Sequence, residues 1–221
     1  MTKLFPTFII DFDNTFVTIE ALDELAIIAL RNHPKKDKIT KKIADITKTG
    51  MLGKIDFQAS LSKRLSLFQP QKEDINKLIQ VLKKHITPSV IRNKEFFKKH
   101  KANIYIITGG FKEYVLPVVA DFGIYKSHVI ANTFIFDKQG KVIGYDKKNP
   151  LANSGVKTEA IKKLNISGEI IVIGDGYTDY EAKKNGAAEK FFAFVENISR
   201  KGIVEKADKI IKSFDEIWGK K

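Results

Sequence analysis

Two aspartates, Asp11 and Asp13, stand two residues apart in the segment FIIDFDNTFVTIE, residues 8–20. In an extended chain, residues i and i+2 share a face, so these carboxylates point the same way at close range. Like charges that close are costly unless something positive sits between them. Asp175 and Asp179 recur in GDGYTD, residues 174–179, and a third segment reads TGG at 108–110. Converging carboxylates need a cation. An oxygen-only ligand set, in a chain without Cys and with four scattered His, favours Mg²⁺, which keeps waters and binds phosphate oxygens. Thr108 and the glycines after it form a turn expected at a helix N-terminus, where backbone N–H groups bind an oxyanion such as phosphate. Lys157 opens another helical pattern; a lone Lys is ordinarily solvated, but beside phosphate and carboxylates it neutralises a transition state. Together these parts fit phosphoryl transfer to a carboxylate. One Asp attacks phosphorus, the second gives and takes a proton, and metal and Lys hold the spread charge.

The elements that must position these residues are legible. Phe8–Ile10, Ile104–Ile107 and Ile170–Ile173 are continuous apolar runs, the pattern of parallel strands covered on both faces. Each ends in one of the polar motifs. Helical patterns follow at 113–122, stopped by Gly123, and at 178–185, stopped by Gly186, and a later strand is expected at 191–195. Strand, turn and helix in repetition predict an α/β fold, a three-layer doubly wound Rossmann-like sheet. Ligands of such sheets bind at the carboxyl ends of the strands. Asp and Gly after one strand are ordinary turn residues; three strand ends carrying four carboxylates are not.

Residues 20–86 break the rhythm. They hold no strand-like run and show helical spacing through Leu22, Leu25, Ala26 and Ala29, through Phe57, Leu61, Leu65 and Phe68, and through Ile75, Leu78, Ile79 and Leu82. The expected organisation is a core of residues 1–16 and 87–221 with an all-helical cap, 17–86, inserted in it. VIANTFIFDKQGKVIGYD, residues 129–146, alternates and turns at Asp137–Gly140, which predicts a β-hairpin.

Composition bounds the partners. The chain has 221 residues, 43% hydrophobic and 29% charged, with a net charge of +13, ordinary for a globular protein except in charge. Only four of the 39 basic residues are Arg, and the lysines come in pairs along the whole chain. That pattern reads as solvated helix faces rather than a nucleic-acid patch, with a general bias toward anionic ligands. No signal peptide or membrane span is expected, and the expected location is cytoplasmic. A homodimer is kept as an alternative to a monomer. IVIGDGYTD lacks the third glycine of a dinucleotide loop.

DFDNT, TGG, Lys157 and GDGYTD, in this order and with a helical insert after the first, resemble the four motifs of the haloacid dehalogenase superfamily of phosphatases. Within it the chain is similar to the phosphoserine phosphatase family over nearly its whole length, through TIEALDELA, MLGKIDFQASLSKRLSL, IITGGF, NSGVK and GDGYTDYEA. The resemblance implies a haloacid dehalogenase core, hydrolysis of O-phospho-L-serine as the last step of serine synthesis, and an aspartyl-phosphate intermediate. It implies Asp11 as nucleophile and Asp13 as general acid/base. It places Mg²⁺ on the Asp11 carboxylate, the Asp13 carbonyl and Asp175, supported by Asp179. Thr108, Gly109 and Lys157 would hold phosphate, with Thr178 nearby. Glu20 would pair with the substrate ammonium, Arg64 with its carboxylate, and Met51 and Phe57 would close over the site.

The residues by themselves leave two of these roles open. Arg64 lies at the edge of an apolar helical stripe, where a snorkelling Arg and an Arg held for a carboxylate look alike. Glu20 also suits a first-turn helix carboxylate. Three departures from the family pattern stand out. Asn14 occupies a position that is usually Ser, Tyr177 replaces a small residue, and Pro117 is expected to kink the helix after TGGF. Tyr177 bears on substrate size, so another small phosphomonoester, or transfer to an acceptor such as homoserine, is the alternative. A basic nucleic-acid-binding module is the alternative outside enzymes.

Overall fold

The computed structural model describes residues 5–153 and 156–218. Ser154 and Gly155 of NSGVK, and the ends of the expected core range, lie outside the described residues. A six-stranded sheet runs in the order β3-β2-β1-β6-β7-β8 and is parallel throughout. Its strands are β1 (Thr7–Ile10), β2 (Ile104–Phe111), β3 (Val129–Asn132), β6 (Ile170–Gly174), β7 (Lys190–Phe194) and β8 (Lys209–Ile211). Phe8 and Ile10 pack into one apolar cluster, and Ile9 into another with Ile107 and Val172. Alternate side chains of a strand point to opposite faces, so helices cover both sides. On these faces lie α5 (Pro88–Arg92), α6 (Lys94–Lys99), α7 (Lys112–Val119), α8 (Val156–Lys163), α9 (Tyr177–Lys184), α10 (Lys201–Val204) and α11 (Asp215–Trp218).

Strand β1 pairs with β2 on one side and β6 on the other. The three motif-bearing strands are therefore neighbours, and their carboxyl ends meet at one point of the sheet edge. Between β1 and β2 the chain forms α1 (Ala21–Ala29), α2 (Lys36–Met51), α3 (Phe57–Leu65) and α4 (Lys72–Lys84). The apolar spacings place α1, α3 and α4. Helix α2 buries only Ile43 and Thr47, too sparse a stripe to stand out in sequence. The turn of the chain after Leu65 puts Phe68 beyond α3 rather than on it.

The expected hairpin over 129–146 needs correction. The antiparallel pair is only β4 (Phe134–Phe136) with β5 (Val142–Tyr145). Val129–Asn132 instead joins the parallel sheet beside β2. Its side chains at Val129, Ala131 and Asn132 are all buried, which a half-exposed hairpin strand does not provide. Asn132 donates through Nδ2 to Gly109 O at 2.9 Å and Leu151 O at 3.1 Å, tying β3 to the TGG segment. Pro117 lies inside α7, which passes after Val119 into a 3₁₀ turn, Ala120–Phe122, closed by left-handed Gly123.

The paired lysines also find their reason. Lys83-Lys84, Lys98-Lys99, Lys162-Lys163 and Lys183-Lys184 occupy the last turns of α4, α6, α8 and α9. Cations there meet the negative ends of the helix dipoles. Among the described residues, no helix is long and apolar enough to cross a membrane.

Candidate active site

Asp11 follows β1, and its Oδ1 accepts the Phe12 N–H at 2.7 Å. The chain then turns through Phe12–Phe16, with Asn14 left-handed at φ 51°. Few side chains tolerate that conformation, and Asn is one that does. The turn swings Asp13 toward α1, where its Oδ1 accepts the Ala21 N–H at 2.7 Å. Lys157, from the first turn of α8, places Nζ 2.8 Å from Asp11 Oδ1 and 2.5 Å from Asp179 Oδ1. Asp179, on α9, also accepts the Gly176 N–H at 3.1 Å through Oδ2. A Cβ at Gly174 would overlap the Asp179 carboxyl group, so the glycine opening GDGYTD makes room for the last Asp.

Asp11, Asp175 and Asp179 are buried, and one carboxylate oxygen from each lies within 4.8 Å of the others. Burial, then the charge of Asp11, raises the pKa of Asp13 to about 7 and that of Asp179 to about 7. Burial also pushes Asp175 well up, against the opposing Arg200. Burial is the leading cause of all three shifts, and the like charges crowded beside one another add to it. Asp175 Oδ2 is buried and receives no hydrogen bond, although Arg200 Nη2 lies 3.0 Å away without an N–H aligned on it. An all-oxygen cluster with a free buried lone pair fits a hard divalent cation.

The TGG segment differs from its expected form. Thr108–Phe111 continues β2, its pairing with β3 slips between Ile107 and Phe111, and α7 starts only at Lys112. The Gly109 and Gly110 amides therefore belong to an irregular strand end rather than a helix's first turn. Thr108 is buried and its Oγ1 accepts the Gly110 N–H at 3.0 Å.

Over this edge lie the inserted helices. A cavity of about 40 Å³ is lined by Asp11, Asp13, Thr108, Gly109 and Lys157 below, and by Glu20, Met51, Phe57 and Arg64 above. Thr178 and Tyr177 line it too. Every residue expected in the site therefore surrounds one cavity or joins the adjoining carboxylate cluster. Phe57 sits so closely over Gly109 that a Cβ there would overlap its ring, and Met51 Sδ lies 3.2 Å from the corresponding point on Gly176.

Arg64 does not snorkel. It is 7% exposed, with Nη1 3.2 Å from Thr47 Oγ1 and 3.6 Å from Asp23 Oδ1, and its Nε has no partner. Glu20 makes no capping bond to α1. Its Oε1 instead accepts from Asn14 Nδ2 at 2.6 Å, with Arg200 Nη2 at 3.4 Å. Burial first, and Asp13 second, raise its pKa to about 8.

Over residues 5–186 the chain matches the haloacid dehalogenase-like hydrolase family. It belongs to that family. Among curated relatives, human phosphoserine phosphatase is 32% identical over 212 residues, covering 95% of this chain and 90% of that protein. A phosphoserine phosphohydrolase-like protein from Francisella tularensis has a similar structure, with TM-score 0.86 and 30% identity over 97% of this chain and 98% of its own. A substrate-bound phosphoserine phosphatase complex gives TM-score 0.77 at 25% identity, covering 98% of both chains.

Sequence reasoning missed several residues of this haloacid dehalogenase-like site. Arg200 reaches Glu20 and Asp175 from the far end of the chain, Thr15 Oγ1 lies 3.5 Å from Asp175 Oδ1, and Tyr114 lines the cavity. One signal was available for Arg200. In a chain that uses Lys for its surface, all four arginines sit on carboxylates: Arg31 on Asp74, Arg64 on Asp23, Arg92 on Asp215, and Arg200 on Glu20 and Asp175.

Proposed function

We propose that this hydrolase converts O-phospho-L-serine to L-serine and phosphate, the last step of serine synthesis, with Mg²⁺ as its metal. The observation that carries the reading is that Glu20 and Arg64 line the same small cavity as Asp11 and Lys157. One wall offers Arg64 for a carboxylate and Glu20, whose ionised form an incoming ammonium would favour, and the floor offers a nucleophile and a cation suited to phosphate. The activities of the similar proteins point the same way. We read residues 17–86 as a cap over a core of 1–16 and 87–221. The site and the paired helix-end lysines favour a small anionic substrate over nucleic acid. The cysteine-free composition is compatible with a cytoplasmic setting.

In this reading an Asp11 oxygen attacks phosphorus as the bond from phosphorus to the serine oxygen breaks. Asp13, protonated near neutrality, gives its proton to the departing serine oxygen. A water then attacks the aspartyl-phosphate, its proton goes to Asp13, and the bond to Asp11 breaks to release phosphate. Lys157 and Thr108 hold phosphate oxygens, joined by Gly109 and with Thr178 nearby. The Asp11 carboxylate, the Asp13 carbonyl and Asp175 would hold Mg²⁺, with Asp179 behind them. When bound, the ion supplies positive charge for the crowded carboxylates and the phosphoryl oxygens.

Phosphate release from a panel containing O-phospho-L-serine, phosphoethanolamine, O-phosphohomoserine and p-nitrophenyl phosphate, with and without chelator, tests the reading. Phosphoserine is expected to lead, and only without chelator. If it is no better than the others, the alternative of another small phosphomonoester takes its place.

A further inference from the structure

The Tyr114 side chain is a buried hydroxyl that the mechanism above does not use. It lies on α7, is fully buried, and lines the cavity beside Asp13 and Arg64. Its ring centroid is 6.3 Å from that of Phe12 and 6.2 Å from that of Phe111, contacts a phenylalanine would make equally well. The hydroxyl proton is what needs explaining: the Phe111 N–H approaches the oxygen, but the O–H itself has no acceptor. It sits against the TGG segment, 2.8 Å from where a Cβ on Gly110 would stand. A buried polar atom left unpaired destabilises a protein, so one held against a cavity is accounted for by something that enters the cavity.

A second unpaired buried atom belongs to another residue lining the same cavity. Arg64 Nε is buried and has no partner. Both atoms are donors, since guanidinium never accepts and a neutral phenol donates its proton. Tyr114 is neutral: burial, followed by the charge of Asp13, holds its pKa well above the usual phenol value. Arg64 acts on it in the opposite sense. Two unmatched donors in one cavity call for an acceptor with two oxygens.

We propose that the Tyr114 hydroxyl binds the substrate's carboxylate, donating to one oxygen while Arg64 holds the group. This rests on the amino-acid phosphate reading above and makes Tyr114 a specificity-determining residue, one that rejects phosphomonoesters lacking the carboxylate. An analogue without that group leaves both donors dry and unpaired, the condition under which a site discriminates most strongly.

Tyr114→Phe removes one hydroxyl whose proton has no acceptor, so the variant should fold and melt within a few degrees of the wild-type temperature. On O-phospho-L-serine its kcat/KM should fall about 10- to 100-fold, mostly through KM. On phosphoethanolamine, which differs by the missing carboxylate, it should change less than about twofold. An unchanged kcat/KM on phosphoserine overturns the proposal. So does an equal fall on both substrates, which would put the hydroxyl to work at the phosphate or on Asp13. Failure of the wild-type protein to hydrolyse phosphoserine would remove the substrate reading and this inference together, and is distinguished by occurring before any substitution.

Discussion

Lys157 Nζ lies 2.8 Å from Asp11 Oδ1, in a pair whose side chains are 2% and 8% exposed. Burial alone would push the lysine toward its neutral form, but Asp11 and Asp179 outweigh it and hold the pKa above its usual value. The ammonium is thus fixed beside the proposed nucleophile before substrate arrives, which is electrostatic preorganisation rather than a contact made on binding.

Replacing Asp11 by Asn keeps the shape and removes the nucleophile. Turnover on every substrate should fall at least about 10⁴-fold. Activity within tenfold of wild type would remove Asp11 from the proposed role. Lys157→Met should also lose activity, and it leaves buried carboxylates without their cation. A stability loss of about 3–5 kcal/mol is expected in the metal-free protein, read from urea unfolding.

Glu20 and Arg64 should control affinity for the amino-acid end of the substrate. Arg64→Met and Glu20→Gln are each expected to raise KM for phosphoserine by about 10- to 100-fold. Phosphoethanolamine separates them, because it keeps the ammonium and lacks the carboxylate. Arg64→Met should affect it little and Glu20→Gln strongly. The reverse ordering would exchange the two assignments.

The crowded carboxylates predict a pH-dependent stability for the chelated protein. Glu20 rises from 4.5 to about 8 on folding, and Asp13 and Asp179 each rise from 3.8 to about 7. A raised acid binds its proton more tightly in the folded state, so stability falls with pH between the two values. The favourable side is acidic: the stabilisation is whole below about pH 4 and is lost as pH rises through 7 to 8. With chelator, the melting temperature should drop from pH 6 to pH 8.5, and Glu20→Gln should flatten that slope. Adding Mg²⁺ should raise the melting temperature most at the alkaline end. A chelated protein that is more stable at pH 8.5 would contradict the electrostatic account.

Tyr177 lines the site. Its ring lies where a Cβ on Gly53 would fall 2.6 Å away, and Gly53 has φ +69°. Tyr177 lines both the 40 Å³ cavity and a neighbouring one of about 100 Å³, together with Gly50, Phe57 and Thr178. Tyr177→Ala should join them and shift the kcat/KM ratio toward p-nitrophenyl phosphate by about tenfold. Gly53→Ala should lose about 1 kcal/mol or more from the left-handed backbone alone, and more from contact with the ring. Chemical unfolding reads the second variant and the substrate ratio reads the first.

The role of Asn14 could not be read from its departure from the family's usual Ser. Its position only raised the question of altered hydrogen bonding. In the fold it both occupies a left-handed turn and donates to Glu20 at 2.6 Å. The second property depends on where α1 begins relative to β1, which no local pattern specifies. Similarly, Arg64 and a snorkelling Arg look alike on a helical wheel; only the packing of α3 onto the core buries its guanidinium and leaves Nε unpaired. The hairpin expectation failed at Val129–Asn132 for the opposite reason. A short apolar run fits either sheet, and pairing with β2 decided between them.

The sequence by itself determined the sheet and the chemistry. Continuous Ile-rich runs are stable only when both faces are buried, and polar motifs at their ends must then share one edge of one sheet. Such patterns are local, so neighbouring residues suffice to set them. The tertiary structure alone decided that β1 stands between β2 and β6, bringing Asp11, Thr108 and Asp175 together. It also decided that Arg200 reaches Glu20 across 180 residues of chain and that Tyr114 lines the cavity. These depend on the packing of elements far apart in the chain, where small rotations of a helix choose which side chain faces the site.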